Sequence, residues 1–162
     1  MKHRIPLFMF MFIFLFLGPV SCQFGTLPET GILRVLIRAE ENSNPNADNQ
    51  PAPVVLRIYQ LSSDEIFQRE RFMPLWQQDQ VLLKEQLLAR KVTEPVYPGS
   101  RETLLLQLQP GTTHIGVLAG FSAAAQAKNK QIIAVLPLPV MQVSLFMDGQ
   151  TLSLTAGEND EQ

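Results

Sequence analysis

Apolar and polar residues alternate along most of this chain, and the alternation marks strands. Leu33, Val35, Ile37 and Ala39 are separated by Arg34, Leu36 and Arg38, the period of two that sends successive side chains to opposite faces of a sheet. Val54, Leu56 and Ile58 repeat the pattern, with Arg57 and Tyr59 on the other face. Leu104, Leu106 and Leu108 alternate with Thr103, Leu105 and Gln107. Ile115, Val117, Ala119 and Phe121 oppose Gly116, Leu118 and Gly120; apolar on both faces, this strand belongs in the middle of a sheet. Ala89 to Val96, Ile132 to Leu136, Met141 to Met147 and Thr151 to Leu154 complete the set. Pro95 assigns the first of these to an edge. Pro98-Gly99 and Pro110-Gly111 turn the chain, and Asp148-Gly149 predicts a hairpin with positive φ at both central positions. Short strands with frequent turns predict an all-β sandwich of about eight strands.

Two segments break the strand rhythm. Ser62-Ser63-Asp64-Glu65 matches a capping box, with the Ser62 hydroxyl accepting from the Glu65 amide. Ile66, Phe67, Phe72, Met73, Leu75 and Trp76 then recur at helical spacing. Pro74 is expected to split this region into two short helices, and Asp79 to Leu88 adds a turn. The insert, about 62–88, should lay its apolar face on an edge or end of the sandwich. A further helical turn is expected over Ala123 to Ala127. The second break, Glu41 to Pro53, carries Asn42, Asn44, Pro45, Asn46, Asp48, Asn49, Pro51 and Pro53. It is too polar to be buried and too rich in Pro and Asn to be a strand, so it reads as a long loop. Loops of this length are either functional or disordered connectors.

The N-terminus has a different character. Lys2 and Arg4 precede an almost unbroken apolar run, Leu7 to Leu17, that ends in Val20-Ser21-Cys22. This is the layout of an export signal. A spanning helix needs about 20 apolar residues, and Gly18-Pro19 breaks this run. Small residues followed by the chain's one cysteine read as a lipoprotein precursor, in which the Cys22 thiol accepts diacylglycerol before cleavage. Pro19 stands where such sites usually carry Leu. Gln23, rather than Asp, follows the cysteine and favours the outer membrane. The expected organisation is a signal over 1–21, a lipidated tether over 22–30, the sandwich over 31–156 and an acidic tail over 157–162.

The chain carries 13 basic and 15 acidic side chains, and losing Lys2 and Arg4 with the signal makes it more acidic. No basic patch invites nucleic acid. Beyond the signal there is one histidine, His114, expected at a strand end near solvent, with no nucleophile and acid at recognisable spacing. A lone histidine with scattered acids offers no metal-ligand cluster. Asn44, Asn46 and Asp48 lack the glycine and closing glutamate of a calcium loop. Gly116 and Gly120 fit close packing better than phosphate binding, and Trp76 fits the core. No catalytic, cofactor or metal residues are assigned. What remains is binding of another macromolecule, with the Glu41 to Pro53 loop as the surface.

Asn44-Pro45-Asn46, the block Pro51-Ala52-Pro53-Val54-Val55-Leu56-Arg57-Ile58-Tyr59-Gln60-Leu61, then Phe67, Phe72 and Leu75, Pro98-Gly99 and Gly116 to Phe121 together resemble the TssJ (SciN) lipoprotein family of type VI secretion systems. With Cys22, the resemblance covers most of the mature chain. Ser122-Ala123-Ala124-Ala125 departs from the charged residues and tryptophan common there in the family. The resemblance implies a transthyretin-like sandwich with a short helical insertion between early strands. It implies an outer-membrane lipid anchor through Cys22, facing the periplasm. It also implies a protein partner, the periplasmic domain of the inner-membrane protein TssM, and no small-molecule substrate. The partner contact carried over from the family falls on the first inter-strand loop, at Asn42, Asn44, Pro45, Asn46, Ala47, Asp48 and Asn49. A generic envelope lipoprotein with another partner, or a transthyretin-like hydrolase or carrier, are the alternative readings.

Overall fold

The structure, a computed structural model, describes residues 31–157. Cys22, the signal, the tether through residue 30 and the tail beyond Gly157 lie outside the described residues. The elements run β1 (Ile32–Ala39), β2 (Leu56–Leu61), α1 (Glu65–Arg69), α2 (Phe72–Leu83), a 3-10 turn (Lys84–Gln86), β3 (Leu87–Val92), β4 (Arg101–Gln107), β5 (His114–Ala119), β6 (Lys130–Ala134), β7 (Val140–Asp148) and β8 (Thr151–Gly157). They form two four-stranded sheets, ordered β4-β1-β7-β8 and β3-β2-β5-β6. All ladders are antiparallel except β1 with β7, which runs parallel from Ile32 opposite Val140 to Ala39 opposite Met147. This is the β-sandwich with an early helical insertion that the alternation predicts.

The period of two builds the core directly. Leu33, Val35, Ile37 and Ala39 of β1 and Met141, Val143, Leu145 and Met147 of β7 face inward from the first sheet. Leu56 and Ile58 of β2 and Ile115, Val117 and Ala119 of β5 meet them from the second. Gln60 is also buried on β2. Its Nε2 donates to the Gln107 carbonyl (3.0 Å), and its Oε1 accepts from the Gln109 amide (2.7 Å) and the Thr112 hydroxyl (3.1 Å). With its amide satisfied, a polar residue closes one end of the apolar interior at little cost.

The second sheet is apolar outside as well, and the helical insert covers it. Tyr59, Leu61 and Leu118 pack against Phe67, Leu75 and Leu83 in a separate cluster. The insert therefore lies on a face of the sandwich, not on the edge or end that the sequence reading expects. The two-sided apolar character of β5 is the reason: its outer side chains need a cover. Gly116 and Gly120 permit the close approach, since a Cβ at Gly116 would stand 2.8 Å from the Phe67 ring and one at Gly120 2.8 Å from Trp76.

Several local expectations shift. The capping box is not formed: Asp64, not Ser62, caps α1, without a side-chain cap bond. Two helices are present, but the break falls at extended Glu70, and Pro74 sits in the first turn of α2. Proline is tolerated there because the first amides of a helix have no intrahelical acceptor. β3 is an edge strand that stops at Val92, before Pro95, and Val54 and Val96 pair only as an isolated bridge. The β7–β8 hairpin turns on Gly149-Gln150, with positive φ at Gly149 but not at Asp148. Gly157 pairs with Gln142 and so belongs to β8. Ala123 to Ala127 makes one turn, closed by the Ala127 amide donating to the Ala123 carbonyl (3.2 Å).

Candidate docking site

The loop from Glu40 to Val55 leaves β1 in one sheet and enters β2 in the other, so it crosses one end of the sandwich. It has a hydrogen-bonded structure of its own. Its base is tied to the β7–β8 hairpin: the Glu40 amide donates to the Met147 carbonyl (2.9 Å) and the Asn44 amide to the Gly149 carbonyl (2.7 Å). Asn42 Nδ2 donates to Asp148 Oδ1 (2.7 Å). Ser43 is buried, its hydroxyl donating to the Glu40 carbonyl (2.6 Å).

Asn44 organises the base. It adopts φ 54°, a left-handed conformation that Asn tolerates better than most residues. Its Nδ2 donates to the Pro53 carbonyl (2.9 Å), and its Oδ1 accepts from the Ser122 amide (2.6 Å). One side chain thus joins both limbs of the loop to the β5–β6 connection, and it is 2 % exposed. The tip is a second unit. Asn46 Oδ1 accepts from the amides of Asp48 (3.0 Å) and Gln50 (2.9 Å), and the Asn49 amide donates to the Asn46 carbonyl (2.9 Å). Asn49 also takes positive φ, at 60°.

The seven residues carried over from the resemblance therefore separate by exposure. Asn42, Asn46, Ala47, Asp48 and Asn49 are exposed, Pro45 is half-buried and Asn44 faces inward. A polar, preorganised tip stands on a base that holds it still, an arrangement that lowers the entropy lost on docking. Residue 31, where the chain enters from Cys22, is at the other end of the sandwich. There the Leu108 amide donates to the Gly31 carbonyl (2.9 Å), a full length of β1, about 25 Å, from the loop.

A polar cluster under the helical insert escapes sequence reasoning. Asp79 of α2 is 5 % exposed. It accepts from Tyr59 Oη (2.9 Å), Arg57 Nη1 (3.3 Å), Arg90 Nη1 (2.8 and 2.9 Å) and the Gln80 amide (2.8 Å). Burial acts to raise the Asp79 carboxyl pKa, but the bonds from Arg90, Tyr59 and Gln80 outweigh it and hold it below the ordinary value. Burial, and then the bond to Asp79, push the Tyr59 phenol well above its usual range. Arg57 lies 4.0 Å over the Trp76 ring and donates to the Trp76 carbonyl (2.7 Å). Lys130 of β6 donates to the carbonyls of Phe67 (2.9 Å), Gln68 (3.0 Å) and Glu70 (2.6 Å), closing the C-terminus of α1. The alternation of Arg57 and Tyr59 on one face of β2 was the visible signal; the partner on α2 was not.

His114 opens β5, with Thr113 Oγ1 2.9 Å from Nδ1 and Asp64 Oδ2 3.6 Å from Nε2. Among the described residues, no group of three or more His, Cys, Asp or Glu side chains is arranged to hold a metal ion.

Residues 32–150 match the family described as type VI secretion lipoprotein, VasD, EvfM, TssJ, VC_A0113. The chain belongs to this family. Its fold is that of solved relatives. The type VI lipoprotein TssJ1 from Pseudomonas aeruginosa aligns with a TM-score of 0.74 at 23% identity, over 80% of this chain and 98% of that one. Serratia marcescens Lip, a membrane-bound component of the type VI secretion system, aligns at 0.70 and 19% identity, over 80% and 99%. A chain of the structure described as the TssM C-terminal domain (869-1107) from EAEC aligns at 0.57 and 26% identity, over 76% and 97%. No curated protein matches the sequence. The family is one of type VI secretion lipoproteins.

Proposed function

We propose that this lipoprotein is anchored in the outer membrane through acylated Cys22, faces the periplasm, and binds the periplasmic domain of TssM, joining the two membranes. The observation that carries the reading is the polarity of the sandwich: the chain enters at residue 31, and the rigid loop projects from the opposite end. A domain tethered at one end and exposing a prebuilt surface at the other suits a bridge between membranes. The polar tip fits the polar rim of a protein interface. The structure described as a TssM C-terminal domain adds support. Its matched chain is 97% covered by 76% of this one, which makes it about the size of this domain and well short of the span 869-1107.

The test exchanges Asn46 to Asn49 for a Gly-Ser turn and leaves Asn44 in place. In a pull-down with the TssM periplasmic domain, binding is expected to fall at least tenfold, about 1.4 kcal/mol or more, with an unchanged unfolding midpoint. Undiminished capture by the exchanged loop would remove the assignment.

A further inference from the structure

The end of the sandwich where the chain enters carries an exposed apolar surface. Leu136, Pro137, Leu138 and Pro139, between β6 and β7, are four consecutive exposed apolar residues, a run that folded domains avoid without a use for it. Ile32 joins them: Ile32, Leu136 and Leu138 are 43%, 46% and 43% exposed. Together with the Leu108 to Thr112 turn they rim an open cleft of about 730 Å³, and among the described residues no Asp, Glu, Lys or Arg lines it. The run is held in shape, since the Ile32 amide donates to the Pro139 carbonyl (2.9 Å), the Val135 amide to the Thr113 carbonyl (2.8 Å) and the Leu138 amide to the Leu136 carbonyl (2.8 Å).

We infer that this apolar rim is a membrane-seating surface: Leu136 and Leu138, with Ile32 beside them, enter the phospholipid leaflet that holds the acyl chains of Cys22. The inference rests on the lipoprotein reading. Gly31 itself lines the cleft, and the segment from Cys22 to Gly31 reaches at most about 30 Å even when fully extended. An anchored Cys22 therefore keeps the rim within reach of the leaflet, and seating the rim there turns the Asn46 loop at the other end away. A proline-stiffened apolar loop suits the boundary between headgroups and acyl chains, where binding strength scales with the apolar area buried. Seating there fixes the tilt of the sandwich, and with it the direction in which the docking loop points.

The full lipidated protein in vesicles of phosphatidylethanolamine with a minor share of phosphatidylglycerol tests this. A polarity-sensitive dye is placed on Leu138→Cys, and on Val81→Cys of α2 as a water-exposed reference, 63% exposed in the native chain; acylated Cys22 has no free thiol to label. The expected result is a blue-shifted emission at position 138, quenched several-fold more by acyl-brominated lipid than at position 81, with near-ultraviolet circular dichroism unchanged. Floating protein whose probe at 138 is as wet as that at 81 overturns the inference and leaves the anchor intact. Protein that fails to float, with no acyl mass on the Cys22 peptide, overturns the lipoprotein reading and the inference together.

Discussion

Asp79 sits on the inner side of the helical insert with almost no water contact, and two guanidinium groups and a phenol reach it. Removing one member of such a set leaves the others desolvated and unpaired, a loss of about 3–5 kcal/mol for a fully buried pair. Arg57 and Arg90 keep 22% and 32% of their side-chain surface exposed, so Asp79→Asn is expected to lose about 2 kcal/mol in urea unfolding at neutral pH. The pH dependence has a definite sign. The folded-state carboxyl is held below its ordinary value of 3.8, so its stabilisation is complete above that value and is lost as pH falls through the folded one. The difference between native protein and Asp79→Asn should therefore shrink as pH falls from about 5 through the folded-state value. A constant difference across that range would assign the stabilisation to packing. Arg90 and Tyr59, which also face Asp79, are both held above their ordinary values and do not titrate there. Arg57 and Tyr59 on one face of β2 are legible in the sequence, but their partner Asp79 is not, because local periodicity carries no information about a partner strand twenty residues away.

At the scale of elements, the helical insert depends on the glycines of the strand it covers. α1 has five residues, too short to persist alone, so its stability comes from Phe67 and from the Lys130 ammonium on its last carbonyls. Gly116→Ala would drive a Cβ to 2.8 Å from the Phe67 ring, and a cost of about 1–3 kcal/mol is expected. In a Phe67→Leu background the same change should cost less, and a double-mutant cycle measures the coupling. Additive losses would mean that the ring does not press on Gly116. The loop is built on the same logic. Asn44→Ala removes bonds to Pro53 and Ser122 and leaves positive φ to a residue that resists it, so about 2 kcal/mol of stability should be lost. The drop is read from the unfolding midpoint, which the Asn46 to Asn49 exchange should leave in place. An Asn-rich loop was evident from composition; which asparagines bond inward was not, since Asn44 and Asn46 are chemically alike and only their surroundings differ.

For the whole molecule, two ends with opposite chemistry define an orientation. The apolar rim at residue 31 and the polar turn at Asn46 are separated by the length of the strands, and the lipid anchor would decide which of them meets the membrane. Cys22→Ser is expected to move the protein from the membrane to the soluble periplasmic fraction, with unchanged circular dichroism. Retention in the membrane fraction would mean that something other than acylation holds it there.

Strand number, the two-sided character of β5 and the family were all determined by the sequence, because alternation and short motifs are local properties of the chain. So was the polarity of the Glu41 to Pro53 segment. Only the tertiary structure decided that β1 pairs in parallel with β7, that the insert covers a face, that Asp79 meets Arg57 and Arg90, and that Asn44 turns inward while Asn46 to Asn49 stay in solvent. These are pairings between distant segments. They are selected by which surfaces can be buried together with every polar group satisfied, and no single stretch of sequence contains both partners of that choice.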